Sequence, residues 1–168
     1  RLNTPLTSSM GRLFDAAAAL CGVLQEVTYE AQAAIWLEAR ADPDETGAYP
    51  FAIERGEDGA YLLGPAPLLR ALLHERRESV PVPILSARFH NGVADLVRDI
   101  CLLAREETGI ATVALSGGVF QNATLLRAAG ERLRRAGFAV LTHQLVPPND
   151  GGLAERQAAI AAITVRHT

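Results

Sequence analysis

The sequence is poor in cysteine, in aromatic residues and in clusters of a single charge, and each shortage excludes a class of protein. Of 168 residues, 2 are cysteines and 5% are aromatic, and the formal net charge is −3. Cys21 and Cys101 lack the Cys-x-x-Cys spacing of a metal or redox site, and two cysteines are too few for a disulfide framework. We therefore expect two reduced thiols in apolar helices, as is typical of a cytoplasmic protein.

Long basic stretches and long apolar stretches are also missing. No basic cluster exceeds two adjacent arginines, such as Arg76-Arg77 and Arg134-Arg135, which argues against a broad nucleic-acid-binding face. No apolar run is as long as a membrane span, and no signal peptide is recognisable, so we expect neither membrane insertion nor secretion. The opening residues, RLNTPL, resemble the interior of a protein, and we expect a fragment of a longer chain.

What the sequence does contain is a helical and strand patterning that covers most of its length. Apolar residues at helical spacing predict helices over 10–21, 30–40, 65–78, 84–107, 122–136 and 153–165. Two apolar segments on either side of an Asp-Gly turn predict a β-hairpin over 49–54 and 60–63. The last helix is rich in alanine, and we expect it to pack on a sheet.

The segment 111–152 organises the rest of the chain. A short apolar run over 111–115 is followed by a glycine loop, a helix and a second apolar run over 138–142. This order is that of a βαβ unit with parallel strands. We therefore predict an α/β fold, in which the loops at the carboxyl ends of both strands form half of a nucleotide-binding cleft.

The first of these loops has the sequence SGGVFQN. Gly117 and Gly118 let a ligand approach the backbone without interference from a Cβ atom. The helix that follows would offer free amides and partial positive charge to phosphate or ribose oxygens. Asn122 either caps this helix or contacts the ligand through its carboxamide. The loop is neither a Walker A motif nor a dinucleotide-binding fingerprint, because the lysine and the glycine spacing are missing.

The second loop contains Asp150 between a proline pair and a glycine pair. Its carboxylate either ligates a cation that offsets phosphate charge or caps the last helix, and the pattern favours neither. Asp15 is, on spacing alone, a solvated surface carboxylate. His90 has no second histidine at ligand spacing, so a hydrogen-bonded helix residue is favoured over a metal ligand. Ser116 lacks the Gly-x-Ser-x-Gly nucleophile elbow, and no catalytic nucleophile is predicted.

Several segments resemble one family, the hydrogenase maturation factors of the HypF type. They occur in the family's order and are TSSMGRLFDAAAALCG (7–22), VTYEAQAAIWLEA (27–39), ARFHNGVADL (87–96), LSGGVFQN (115–122) and FAVLTHQLVPPNDGGLAERQAAIAA (138–162). The likeness weakens over 41–80. It implies that residues 1–168 are the second, C-terminal lobe of a TsaD-like and TobZ-like domain.

The resemblance implies a carbamoyltransferase. Such proteins make carbamoyl-adenylate from carbamoyl phosphate and ATP and transfer the carbamoyl group to the C-terminal cysteine of HypE during hydrogenase maturation. The implied fold is a lobe of the actin-like or hsp70-type ATPases (ribonuclease H-like), with a mixed sheet flanked by helices. The first lobe, with its His-x-x-x-His metal pair, and the YrdC-like domain would lie outside this chain, which alone would be inactive.

The resemblance also implies roles for particular residues. Asp150 corresponds to the aspartate that completes a site for a divalent metal, which would be iron, zinc or magnesium. Asn122 corresponds to the asparagine that contacts the adenylate, beside Gly117 and Gly118. Asp15 corresponds to the helix aspartate that binds the ribose hydroxyls, which replaces its interpretation as a surface residue.

At three further positions the residue differs from the one usual in the related proteins. Gln32 stands where the related synthases have a glycine that contacts the substrate. Ala31 replaces a usual glycine, and Trp36 replaces a glutamate that usually contacts the nucleotide. Trp36 would stack on the ligand or fill the core, and Glu38 would compensate in part. A weakened ribose contact is expected.

Two alternatives remain open at the level of sequence. A related transferase would use another acceptor, either a small-molecule hydroxyl, as in TobZ, or tRNA. The VFQN segment favours HypF, and the missing basic face argues against tRNA. The other alternative is a non-catalytic lobe whose nucleotide site has decayed.

Overall fold

The computed structural model describes residues 7–166, so both ends of the expected 1–168 unit lie outside the described residues. Six α-helices and four β-strands follow one another within this range. They are α1 (Met10–Leu20), α2 (Gln32–Glu38), β1 (Ala52–Arg55), β2 (Tyr61–Gly64), α3 (Ala66–Arg77), α4 (Val82–Thr108), β3 (Thr112–Leu115), α5 (Ala123–Arg135), β4 (Ala139–Thr142) and α6 (Leu153–Arg166). Two short 3-10 helices, Gly118–Gln121 and Asp150–Gly152, follow the parallel strands. No helix within the described range is long and apolar enough to cross a membrane.

The strands form two separate pairs. β1 and β2 are antiparallel, with Ala52 opposite Gly64, whereas β3 and β4 are parallel, with Thr112 opposite Ala139. The predicted α/β class and the βαβ unit are therefore confirmed. The expectation of one mixed sheet is wrong, because within residues 7–166 the two strands of the hairpin pair only with each other. The 27 residues of α4 lie between the hairpin and β3 in the chain. The hairpin instead contacts α4, through an ion pair between Arg55 and Glu107 near the end of that helix.

α4 is the central element of the core. It packs against α2, α3 and α5, and its Leu85, Phe89 and Val93 side chains are inaccessible or nearly so. Phe89 meets Phe14 of α1 edge to face, with the ring centroids 4.8 Å apart. This arrangement is one of the two favoured geometries for aromatic pairs. The pair fixes the start of α1, which forms one wall of the site described below.

The loop before the hairpin is held against α4, with its backbone in close contact with that helix. The Tyr49 amide donates to the carbonyl of Arg88, and the Tyr49 hydroxyl donates to Glu75. Arg88 in turn contacts Glu75 and Glu45, at 2.6 and 3.2 Å. The loop lies so near the helix that a Cβ atom on Gly92 would come within 2.3 Å of the Tyr49 carbonyl oxygen. Only glycine fits at this crossing.

The prediction that the last helix packs on a sheet is wrong. The apolar side chains of α6 are largely exposed, with Leu153 at 53%, Ile160 at 58% and Ile163 at 60%. A two-stranded sheet offers little apolar area to cover, and alanine contributes little area of its own, so burial provides a weak driving force. The helix is held instead at its start, where the Arg156 guanidinium donates to the carbonyls of Pro147 and Asn149.

We predict that Gly92→Ala destabilises the fold by about 1–3 kcal/mol, since the new methyl group must displace the Tyr49 backbone. The measurement is the urea midpoint of unfolding. Gly130→Ala is the matched control, because this helical glycine has as its nearest neighbour the mobile end of Arg134, at 3.1 Å. The control should be neutral or slightly stabilising. Equal midpoints for the two variants would contradict the close approach at Gly92.

Candidate functional site

A cavity of about 790 Å³ opens where the two loops after the parallel strands meet the start of α1 and the helix α2. The strands are parallel, so their carboxyl ends lie at one edge of the sheet. The two loops are joined there, because the Gly117 amide donates to the Pro148 carbonyl at 3.1 Å. The structure thus brings together the two loops that the sequence singles out.

Four of the residues proposed from sequence line this cavity. They are Asp15, Gly118, Asn122 and Asp150. Gly117 adjoins them with a φ of 102°, a conformation that L side chains rarely adopt. A Cβ atom on Gly117 or Gly118 would meet no heavy atom within 4 Å, so both glycines border open space. Whether these residues bind a ligand stays a prediction, whereas their convergence is a feature of the fold.

Gln32 does not line the cavity. Its side chain is buried, and its Oε1 atom accepts hydrogen bonds from the Thr28 amide at 2.7 Å and the Thr28 hydroxyl at 3.3 Å. The carboxamide therefore closes the turn that leads into α2. A contact between Gln32 and substrate has no support from this placement.

The two positions that depart from the HypF pattern have different surroundings. Ala31 lines the cavity in the left-handed conformation, with a φ of 61°, which is where glycine is favoured. Trp36 neither faces the cavity nor fills the core, since it is 38% exposed and lies beneath the guanidinium of Arg40. Glu38 does line the cavity. Whether its carboxylate compensates for Trp36 stays a prediction.

The amino terminus of α5 is closed by the protein's own side chains. Glu38 accepts from the Thr124 amide at 2.9 Å, and the Asn122 Oδ1 atom accepts from the Leu125 amide at 2.7 Å. The expectation that these amides are free for phosphate is therefore wrong, because two of the first-turn donors already have partners. Asn122 is the N-cap residue, and this settles the first of its two proposed roles.

The other end of the Asn122 carboxamide contacts a histidine. The Nδ2 atom donates to His90 Nε2 at 2.9 Å, and His90 Nδ1 lies 2.8 Å from the Ser86 carbonyl. Burial lowers the pKa of His90 below its ordinary value of 6.5, against the opposing effects of the Ser86 carbonyl and of Glu38. The expectation of a hydrogen-bonded helix histidine is confirmed. Its link to Asn122, 32 residues away, has no signal in the sequence.

The two carboxylates of interest lie on different elements of the cavity wall, Asp15 on α1 and Asp150 at the start of the 3-10 helix after β4. Asp15 is half-buried and pairs with Arg12 at 2.9 Å, one helical turn away. Asp150 is exposed, and the neighbouring Asn149 caps the 3-10 helix that leads into α6, by accepting from the Gly151 amide. In the part of the chain that the structure describes, no group of three His, Cys, Asp or Glu residues could hold a metal. A cation at Asp150 would therefore need ligands from elsewhere.

The charge of the cavity favours a particular kind of ligand. Its described lining carries four carboxylates and a single cationic side chain, Arg12, which is already paired. Carboxylates accept hydrogen bonds from hydroxyl groups and coordinate hard cations, whereas they repel a bare phosphate. The arrangement suits a polyhydroxylated ligand, and it suits a phosphate ester only together with a cation.

Comparisons with known proteins point to one family. The family model described as "Carbamoyltransferase, Kae1-like Domain, second subdomain" matches residues 1–157. Carbamoyltransferase HypF of Synechocystis sp. is 40% identical over 153 residues, which cover 91% of this chain and 19% of that protein. Carbamoyltransferase HypF of Rhizobium leguminosarum is 36% identical over 161 residues, which cover 94% of this chain and 20% of that protein.

A solved structure shows the same fold. The crystal structure of full-length HypF in a phosphate- and nucleotide-bound form superposes with a TM-score of 0.89 and 44% identity. The match covers 95% of this chain and 21% of that one. The chain thus spans about a fifth of the length of the proteins it matches.

We predict that Ala31→Gly stabilises the fold by about 0.5–1 kcal/mol. Glycine removes the strain of the left-handed conformation, and this gain exceeds the extra conformational entropy that a glycine loses on folding. The urea midpoint of unfolding measures it. Ala39→Gly is the control, since Ala39 ends the same helix with an ordinary φ of −59°. The control should be destabilised. A loss of stability in both variants would show that Ala31 is not strained.

The burial of His90 predicts a loss of stability in mild acid. The unfolded chain gains a proton as the pH falls below 6.5, while the folded chain resists it, so stability decreases by up to about 1.4 kcal/mol per pH unit. We expect the free energy of unfolding to drop between pH 7.5 and 5.5. His90→Gln cannot titrate and should show a smaller drop. Identical pH profiles would mean that folding leaves the pKa of His90 unchanged, and they would contradict the effect of its burial.

Proposed function

The chain belongs to the carbamoyltransferase HypF family, and we propose that its 168 residues form the nucleotide- and metal-binding lobe of a HypF-type enzyme. In this proposal the chain is the second lobe of a TsaD-like domain with an actin-like ATPase fold. It works as part of a longer polypeptide that also supplies a first lobe and a YrdC-like domain. The observation that carries the proposal is the convergence of both loops with Asp15 on one cavity.

The ligand of this cavity is, in our proposal, ATP or the carbamoyl-adenylate made from it and carbamoyl phosphate. The related full-length HypF was crystallised in a phosphate- and nucleotide-bound form. A volume of about 790 Å³ lies within the range typical of small-molecule sites. The Asp15 carboxylate would accept hydrogen bonds from the ribose hydroxyls, and Gly117, Gly118 and Asn122 would contact the adenylate from the opposite wall.

A divalent cation would balance the charge of the phosphate. The oxygen donors at the rim, Asp150 and the carboxamide of Asn149, fit the preference of hard cations for oxygen ligands. Asp150 would be the residue of this chain that holds the metal, with further ligands from the first lobe. Bound there, the cation would supply charge neutralisation at the phosphate while the acyl group is transferred.

The reaction we propose requires no nucleophile from this chain. The thiolate of the C-terminal cysteine of HypE would attack the carbamoyl carbon, forming a C–S bond and breaking the bond to the adenylate oxygen, with AMP as the leaving group. Cys21 is unsuited to this role, because burial raises its pKa to about 11. The lobe would act by holding the carbamoyl-adenylate in the orientation for attack.

The test is calorimetry of ATP binding, with magnesium present, to the full-length protein that contains this chain. We expect Asp15→Asn to raise the Kd for ATP by about tenfold or more, because a hydrogen bond to a charged group contributes about 1.5–3 kcal/mol. Asp150→Asn should make the affinity for ATP depend less on the magnesium concentration. Asp99→Asn is the control, since Asp99 pairs with Arg98 away from the cavity. An unchanged Kd in both site variants would refute the nucleotide site.

The acceptor is tested separately. Carbamoyl transfer to a HypE C-terminal peptide is expected, and transfer to hydroxyl compounds is not. Transfer to a hydroxyl acceptor would instead identify a TobZ-type enzyme. Nucleotide binding without transfer to either acceptor would indicate a non-catalytic lobe.

A further inference from the structure

His90 lies behind the cavity and takes no direct part in its lining. The imidazole is buried between α1, α2 and α5, with Phe14 edge-on at 5.4 Å. Its two ring nitrogens contact the Ser86 carbonyl and the Asn122 carboxamide, at 2.8 and 2.9 Å. A buried polar ring with both nitrogens engaged is held firmly, because any rotation would leave a polar atom without a partner.

The partners of the ring determine where its proton lies. Asn122 Oδ1 accepts from the Leu125 amide, so it is the Nδ2 group that faces His90, and Nε2 must accept. The Ser86 carbonyl can only accept, so Nδ1 must carry the proton. The Ser86 hydroxyl is already used, since it donates to the Leu37 carbonyl at 2.6 Å. The chain of donors is satisfied only with His90 neutral and protonated on Nδ1.

The same chain fixes both ends of the Asn122 carboxamide. Leu125 holds the oxygen and His90 holds the nitrogen. The side chain has two donor hydrogens and two lone pairs, of which these contacts use one each. One N–H and one lone pair therefore remain on a residue that lines the cavity with 8% of its surface exposed.

We propose that His90 is a positioning residue of the nucleotide site, which orients the Asn122 carboxamide so that its remaining hydrogen-bonding groups face the ligand. This inference rests on the proposed function of the cavity and adds a residue that does not touch the ligand. Two anchors matter because a carboxamide held only at its oxygen can still rock about that contact. A pre-oriented group loses less entropy when the ligand binds.

The test compares two substitutions of His90 that each keep half of its hydrogen bonding. His90→Gln places a carbonyl oxygen where Nε2 accepts from Asn122, whereas His90→Asn keeps a donor near Ser86 and loses the link to Asn122. In the full-length protein, with calorimetry of ATP, we expect His90→Asn to weaken the Kd about five- to tenfold. His90→Gln should restore most of the affinity.

A double-mutant cycle separates positioning from a general loss of structure. If His90 acts through Asn122, His90→Asn should cause no further loss of affinity in an Asn122→Ala background. Thermal unfolding of each variant checks that the fold persists at the assay temperature. Should His90→Asn fail this check, the cycle is run with His90→Gln, for which a twofold or smaller loss that vanishes in the Asn122→Ala background is expected.

The outcomes distinguish this inference from the proposed function. Wild-type protein that binds no ATP would refute the nucleotide site and the role of His90 with it. Wild-type binding together with equal affinities for the two His90 variants would overturn the positioning role alone. Additive losses in the cycle would do the same, because they would show that His90 acts on the site by a route other than Asn122.

Discussion

The interaction on which the site depends is the hydrogen bond from Asn122 to His90. It lies at the point where α2, α4 and α5 meet, and it connects the cap of α5 to two buried groups, the Ser86 carbonyl and the Leu37 carbonyl. Leaving any member of such a buried chain without a partner costs about 1–3 kcal/mol. The mutual satisfaction of these groups therefore sets the spacing of the three helices. That spacing determines the geometry of the cavity wall.

The loops reach the cavity through a second constraint, which is the parallel pairing of β3 and β4. Parallel strands deliver both of their carboxyl ends to one edge, where the Gly117 amide contacts Pro148 and the Ser116 hydroxyl contacts His143. Glycine at 117 permits the sharp turn, with a φ of 102°. The proline pair before Asn149 stiffens the opposite side. Two segments about thirty residues apart are thus brought into one wall by only four pairs of strand residues.

Much of this was predictable, because it depends on local chemistry. Helical spacing of apolar residues predicts the six α-helices of the described range, and the strand–glycine–helix–strand order predicts the parallel pair. The convergence of Asp150 with Asn122 follows from the same order. The sequence could not predict that Glu38 would occupy the Thr124 amide, since that contact spans 86 residues and depends on packing. The left-handed backbone of Ala31 and the exposure of α6 are likewise tertiary properties, and local propensity opposes the first.

The charge of the cavity supports the proposal that this chain works together with another part of a longer protein. Its described lining provides hydrogen-bond acceptors in abundance, while its one cationic side chain, Arg12, is already paired with Asp15. The helix terminus that would otherwise attract phosphate is occupied by Glu38 and Asn122. The proposed nucleotide would therefore be held here by its sugar, while its phosphate would be neutralised by a cation or by another part of a longer protein. In the proposed two-lobed cleft, ribose recognition and phosphate recognition would be divided between the two sides, and binding would strengthen only when both sides contact the same ligand.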